Sequence, residues 1–336
     1  MVSPAEIQQA GVTLRGGGLV AVPTETVYGL GAHALDPDAV ARVFAAKGRP
    51  SFDPLIVHTA SAEAAWALVD LEPLPPAQRP LSARLAEACW PGPLTLVLPK
   101  RSSSPEIRGG GVPGIVTSGL DTVGVRVPDH PVARALIEAA GVPIAAPSAN
   151  PFGGTSPTRA QHVTVPCDHV LDGGPCATGV ESTVLGFDDA GQPVVLRLGG
   201  TPVEKLEALL RRPIPVARAG ERVSSPGMLD RHYAPRTPLQ ILPRGHDLAA
   251  EVMSAHPRIG ALSLQGIRAH GRAFAAEEIL SPAGDLTAAA AGLFEALHRL
   301  DAADLDLIVA QTVPEEGLGR AINDRLQRAA HPAPPR

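Results

Sequence analysis

Residues 19–58 read LVAVPTETVYGLGAHALDPDAVARVFAAKGRPSFDPLIVH, and the folding of this stretch decides how the rest of the chain is organised. Leu19 to Val22 is a short apolar run closed by Pro23, which reads as a strand. Thr24-Glu25-Thr26 then sets two hydroxyls and a carboxylate where the chain leaves the sheet, the end at which open α/β sheets collect ligands. Asp36-Pro37-Asp38 is a helix start, with a side-chain cap, a proline at the first helical position and an acid near the positive dipole end. Val40, Val43 and Phe44 mark one apolar helix face, and Gly48 and Pro50 end it. Leu55 to His58 resumes strand, so the stretch predicts a parallel βαβ unit. Lys47-Gly48-Arg49-Pro50 puts two cations in its last turn, where they answer either the helix dipole or an anion.

The chain of 336 residues is long for one core, so two domains are expected. Hydrophobic residues at 44% with 3% aromatics exclude disorder of the whole chain, and scattered prolines and glycines read as turns and helix stops. A formal net charge of −5 gives no general attraction to nucleic acid or an anionic membrane. Cys89, Cys167 and Cys176 lack zinc-ligand spacing and favour a reducing compartment. With no signal-like or membrane-spanning run, a cytoplasmic protein is expected.

Ahead of the opening stretch, Val2 to Gly17 predicts a helix. After it, Ser61 to Asp70 and Leu81 to Trp90 predict helices, and Thr95 to Leu98 a strand. The serine- and glycine-rich run around Ser102–Gly111 predicts a loop, either a lid or plain surface. Pro131 to Ala140 reads as helix and Pro143 to Ala146 as strand. Ser156-Pro157 is a cap and first-turn signature that predicts another helix start, with glycines before it that would admit a phosphate. Asp168 to Leu171, Glu181 to Val184 and Pro193 to Leu198 bring a mixed sheet to roughly seven strands. Pro202 to Leu210 reads as helix, and Arg211 to Pro238 is aperiodic and linker-like. Beyond it, strands at Leu239 to Leu242, Arg258 to Leu264 and Leu305 to Ala310 alternate with helices at Asp247 to Ser254, Asp285 to Leu300 and Glu316 to Ala330. That alternation predicts a small α/β domain with a parallel sheet.

Two strands carry buried-looking cations. In Val123-Gly124-Val125-Arg126-Val127, alternation sets the valines on one face and Thr122, Gly124 and Arg126 on the other. A guanidinium on a sheet face without a partner costs several kcal/mol, so Arg126 must meet a neighbouring carboxylate or a ligand. In Pro193 to Leu198, strict alternation sets Val195 and Arg197 on one face. Lys47, Arg49, Arg126 and Arg197 together would suit a triphosphate, yet the Walker lysine loop and the dinucleotide fingerprint are both absent.

Six motifs now stand in order: Pro23 to Leu30, the KGRP turn with Pro54 to His58, Trp90 to Thr95, Val125 to Pro128, Ala146 to Asn150 with Ser156-Pro157-Thr158, and Glu181 to Val184. Together they resemble the YrdC-like threonylcarbamoyl-AMP synthases. Ser225 to Met228 and His232 to Pro235, followed by a further domain, resemble the longer form of that family. The resemblance implies an α/β fold with α+β character, a mixed twisted sheet with flanking helices at 1–210. It also implies a linker at 211–238 closing over the site and a smaller Rossmann-like α/β domain at 239–332.

The activity implied is that of a nucleotidyltransferase joining ATP, L-threonine and bicarbonate into threonylcarbamoyl-AMP, with pyrophosphate released. The product would serve a downstream tRNA-modifying threonylcarbamoyl transferase, with tRNA itself a candidate partner and no membrane involved. By the same resemblance, Thr26, His58, Arg126, Ala146 and Ser182 would bind L-threonine. Lys47, Arg49, Asp53, Thr122, Ser148, Ser156, Arg197, Arg231, His232 and Tyr233 would bind ATP, with Lys47 and Arg49 catalytic and Mg2+ held mainly through the phosphates. Two positions depart from the family pattern. Asp53 stands where asparagine is usual and would repel phosphate unless it binds the metal or carries a proton, and Ala146 stands where a hydroxyl is common. A sequence-tolerant binder of double-stranded RNA or tRNA using the same cations is the alternative, and a carbamoyl-transfer module is a third reading.

Overall fold

A computed structural model describes residues 2–76, 78–101, 111–188, 190–217, 232–267 and 273–331. The first part contains α1 (Pro4–Arg15), β1 (Val20–Val22), β2 (Gly29–His33), α2 (Pro37–Lys47), β3 (Ile56–His58), α3 (Ala62–Trp66), α4 (Gln78–Cys89) and β4 (Leu94–Pro99). It continues through α5 (Gly114–Thr117), β5 (Thr122–Arg126), α6 (Pro131–Ala140), β6 (Ile144–Ala145), β7 (His169–Val170), β8 (Thr183–Phe187), β9 (Pro193–Arg197) and α7 (Val203–Leu210). The expected caps set α2: Asp36 accepts from the amides of Asp38 and Ala39, and Gly48 closes the helix in the left-handed region at φ 62°.

These strands form one mixed, nine-stranded sheet in the order β7-β1-β2-β6-β3-β5-β4-β8-β9. The parallel βαβ unit is therefore corrected. β1 pairs antiparallel with β2, β2 with β6 and β6 with β3, so β1 and β3 run in opposite directions, two strands apart. The strand missing from the expectation was β2, whose Gly29-Leu30-Gly31 reads as turn. Its glycines answer crowding instead: a Cβ at Gly31 would sit 2.7 Å from Ile144 Cγ2.

The two faces of this sheet are covered differently. Leu30, Val57, Leu96, Leu98 and Val125 pack on one face against Val40, Val43 and Phe44 of α2, Leu85 of α4 and Leu206 of α7. On the other face α1 and α6 cover only the β1, β2 and β6 side, through Ala10, Leu14, Leu136 and Ile137 over Val20, Val22 and Ile144. The β3, β5, β4, β8 and β9 part of that second face is left for the site.

The second part contains β10 (Leu239–Leu242), α8 (Ala250–Ala255), β11 (Ile259–Ser263), β12 (Ala276–Ile279), α9 (Leu286–Asp301), β13 (Leu307–Gln311) and α10 (Leu318–Ala330). Its sheet is parallel throughout, in the order β10-β13-β11-β12. β12 was not anticipated, because its Ala-Glu-Glu-Ile lacks an apolar run. No helix among the described residues is long and apolar enough to cross a membrane.

α9 and α10 press this smaller part against the first. Gly179, at φ 74°, lies so close to α9 that a Cβ there would meet Ala290 O at 2.3 Å and Ala291 Cα at 2.4 Å. Both obstacles belong to a helix and cannot step aside. Gly179→Ala is expected to destabilise the folded chain by about 1–3 kcal/mol, read as a lowered urea midpoint at unchanged slope.

At the same boundary the rings of His162 and His298 stack at 4.0 Å, between the Arg159–Glu295 pair and Arg299. Burial, then the nearby His298, pushes the His162 imidazole down to about 4. Below pH 6.5 the unfolded chain takes up a proton that folded His162 refuses until about pH 4. Stability is thus full above pH 6.5 and falls as the pH drops through that window. His162→Asn is expected to lose less in thermal midpoint between pH 7 and pH 5 than the unaltered chain does.

Candidate functional site

The uncovered sheet face floors a cleft closed by α6 on one side and by His232 and Tyr233 on the other. Arg49, His58, Arg126, Ser148, Ser182 and Arg197 line it, with Thr26 and Ala146 at the ends of the strands that cross it. Arg49, Arg126 and Arg197, from separate segments, thus share one hollow, which runs from the expected strand-end turn at Thr24 and Thr26 across the sheet face, while Lys47 stands behind it and does not line it.

Each charge has a local reason for its position. Arg126 lies on the face of β5 opposite Val123 and Val125, which are buried in the core. It is 3% exposed, donates to Gly92 O at 3.1 Å and pairs with Glu25 Oε1 at 2.6 Å. Its partner in this state is therefore a neighbouring carboxylate, from the threonine-rich turn after β1. Arg49 donates to Asp53 O and Pro54 O, and pairs with Asp53 Oδ2 at 2.9 Å. Asp53 is fully buried, and the repulsion expected of it is answered by Arg49. Lys47 leaves the end of α2 and turns inward, donating to Ser148 O and Asn150 O, so its ammonium braces the loop that carries Ser148. Burial, then Arg49, holds its pKa well below the usual lysine range.

Arg197 reaches the cleft by a break in strand regularity. β8 and β9 pair Leu185 with Val195 but Val184 with Arg197, so Leu196 is an extra residue. The expectation that Val195 and Arg197 share a face is corrected, because a bulge puts two consecutive residues on one side. Val195 stays in the core, while Arg197 turns over and donates to Ser182 O at 2.8 Å and Ser182 Oγ at 3.1 Å.

Other predicted residues are nearby. Thr26 Oγ1 shares a hydrogen bond of 2.8 Å with Thr24 Oγ1. His58 pairs in register with Arg126, and burial followed by that guanidinium pushes its imidazole down to about 3. It is therefore neutral, with Nδ1 buried and lacking a hydrogen-bond partner. His232 is likewise held neutral by burial and then by Arg49. Thr122 lies on the Arg126 face of β5 but does not line the cleft. Arg231 and the Ser225 to Met228 run fall outside the described residues, as does 102–110 of the Ser102–Gly111 loop.

Ser156 corrects a further expectation, since Ser156-Pro157 starts no helix and only a 3₁₀ turn at Ala160–His162 follows. The segment's groups are spent elsewhere. Pro157 O accepts from Tyr28 N, Thr158 O from Cys176 N, and Ser156 Oγ donates to Glu181 Oε1. Two participants stand outside the expected site residues: Glu181, the first residue of the Glu181 to Val184 motif and a cleft-lining carboxylate, and Arg325 on α10, which pairs with it at 2.7 Å. A signal for Arg325 existed, because it stands in the apolar stripe of its helix with Leu318, Ile322 and Ala329.

Among the described residues, every buried charged side chain belongs to this cluster. Five cations, Lys47, Arg49, Arg126, Arg197 and Arg325, stand against three carboxylates, Glu25, Asp53 and Glu181. Half-buried Asp324 also pairs with Arg325, and the cluster still holds more cationic than acidic side chains, an arrangement that suits an anionic ligand.

Fold and cleft together define a two-part α/β protein with a cation-lined cleft on a sheet face. Residues 12–199 match the family model of Sua5, YciO and YrdC, described as telomere recombination, and residues 201–331 match the C-terminal domain of threonylcarbamoyl-AMP synthase. The chain is 43% identical to the threonylcarbamoyl-AMP synthase of Bacillus subtilis, over 97% of this chain and 93% of that one. It is 40% identical to that of Pyrococcus abyssi, over 97% and 94%. The crystal structure of P. abyssi Sua5 complexed with L-threonine superposes with a TM-score of 0.83 at 38% identity, covering 98% of this chain and 95% of that one. The chain belongs to the Sua5/YciO/YrdC family of enzymes, as one of its two-domain threonylcarbamoyl-AMP synthases.

Proposed function

We propose that this chain is a nucleotidyltransferase that makes threonylcarbamoyl-AMP from L-threonine, bicarbonate and ATP. The product would feed a separate transferase that modifies the adenosine beside the anticodon of certain tRNAs. The concentration of buried cationic side chains in one cleft carries the reading, because the carboxylate and carbamate of the threonine-derived substrate must be brought to the triphosphate there against their own repulsion.

The amine of threonine and bicarbonate condense to a carbamate with loss of water. A carbamate oxygen then attacks the α-phosphorus, the bond to the bridging oxygen breaks, and pyrophosphate leaves. Arg126 would take the threonine carboxylate in a forked pair, displacing or sharing Glu25, while the unengaged Nδ1 of neutral His58 would accept from a threonine donor. Thr26, Ala146 and Ser182 would complete that pocket. Arg49, Arg197, Ser148 and Ser156 would align the phosphates, backed by Lys47 and Asp53, with His232 and Tyr233 around the nucleotide. Charge stabilisation and alignment supply the catalysis.

Among the described residues no three His, Cys, Asp or Glu side chains gather as a metal cage. A magnesium ion would enter on the triphosphate and neutralise part of its charge.

The RNA-binding alternative asks these cations to meet a phosphate backbone. Lys47, Arg49, Arg126 and Arg197 are each at most 8% exposed, in a cleft walled by His232, Tyr233 and α6, where a duplex cannot reach. Pyrophosphate release from ATP is expected to require both L-threonine and bicarbonate. Release indifferent to threonine would remove the synthase reading.

A further inference from the structure

The smaller domain contributes no described side chain to the lining of the cleft, so its part in the reaction must be indirect. Its side chains reach the site residues from behind: Phe294 packs on the Tyr233 ring at 5.7 Å, His298 Nε2 lies 3.1 Å from Ser156 O, and Arg325 alone brings a charge. Arg325 on α10 is 1% exposed, the most enclosed of the described charged residues apart from Asp53. Its Nε donates to Glu181 Oε2 at 2.7 Å and its Nη2 to Leu198 O at 2.8 Å, while Cζ lies 4.7 Å from the Tyr233 ring centroid. Glu181 and Leu198 directly adjoin Ser182 and Arg197, which bond to each other across β8 and β9. The other oxygen of Glu181 holds the hydroxyl of Ser156. Asp324, beside Arg325 in sequence, caps the third arm of the guanidinium.

We infer that Arg325 is a positioning residue through which the smaller domain sets the nucleotide half of the cleft. It orients and neutralises Glu181, so that this carboxylate secures Ser156 and does not repel the incoming phosphates. The inference rests on the function proposed above and gives the second domain a task in it. A mere bolt between domains would act on both ligands alike, whereas a shield for one carboxylate acts on the anionic phosphates and is undone by removing that carboxylate's charge.

The test is calorimetric binding of α,β-methylene-ATP and of L-threonine, each separately, to the full chain and to Arg325→Met, Glu181→Gln and the double variant. Arg325→Met is expected to weaken the nucleotide analogue about tenfold or more, the size of a lost charge-assisted contact, and to change threonine affinity by less than about twofold. Adding Glu181→Gln is expected to restore most of the loss. Equal weakening of both ligands, or a double variant no better than Arg325→Met, would overturn the inference. Should Arg325→Met not fold, Arg325→Lys decides. It keeps the charge but loses the fork, so nucleotide affinity should fall several-fold with threonine affinity unchanged, and unchanged nucleotide affinity would refute the positioning role. An unaltered chain that binds neither ligand would instead overturn the proposed function itself.

Discussion

Arg126→Ala is expected to raise the threonine KM by about a hundredfold or more, while nucleotide affinity changes only a few-fold. Two losses add at this position. The fork that would receive the substrate carboxylate disappears, and Glu25, paired with Arg126 at 2.6 Å and 7% exposed, is left as an unpaired buried charge directly behind that position. Its second oxygen already lacks a hydrogen-bond partner, so nothing nearby takes up the slack. Arg126→Ala/Glu25→Gln should then recover part of the threonine affinity by removing the repulsion. Arg49→Ala is expected to show the opposite preference, with the nucleotide affected and threonine spared. Steady-state kinetics with each substrate varied in turn makes the comparison, and equal effects of both changes on both substrates would mean that the two halves of the cleft are misassigned.

The second large effect concerns stability. Asp53→Ala is expected to cost about 3–5 kcal/mol, because it leaves Arg49 as an uncompensated buried charge in a cluster already rich in cations. Asp53→Asn keeps the shape and an acceptor, and the two carbonyl acceptors of Arg49 remain in place. Its loss should be distinctly smaller. Chemical denaturation of the three proteins in parallel measures this, and an alanine variant as stable as the unaltered chain would show that the pair contributes nothing.

Much of this arrangement was legible in the residues. The caps and apolar face of α2 were local signals, and local signals survive folding. The demand of Arg126 for an anion followed from the cost of an unpaired guanidinium, although which anion meets it could not be read from one strand. What failed depended on neighbours distant in sequence. β2 hid behind glycines that exist because Ile144 crowds the adjacent strand. The side of the sheet on which Arg197 emerges is set by a bulge, and one extra residue reverses a parity argument without changing composition. Ser156 resembled a cap because its usual competitor, a carboxylate 25 residues later, becomes adjacent only in three dimensions. Arg325 is one charge among several on an amphipathic helix, yet its place in the apolar stripe marks it as a buried cation needing an anion.

All of these charges serve one claim, that separate segments deliver their cations to a single hollow in order to hold an amino acid and a nucleotide side by side. The most direct measurement is a crystal structure of the full chain with L-threonine and α,β-methylene-ATP together. The threonine carboxylate is predicted to lie within hydrogen-bond distance of the Arg126 guanidinium, with the α-phosphate beside Arg49 and Arg197. Ligands bound outside the cleft, or a threonine carboxylate held by other groups while Arg126 stays closed on Glu25, would contradict the account.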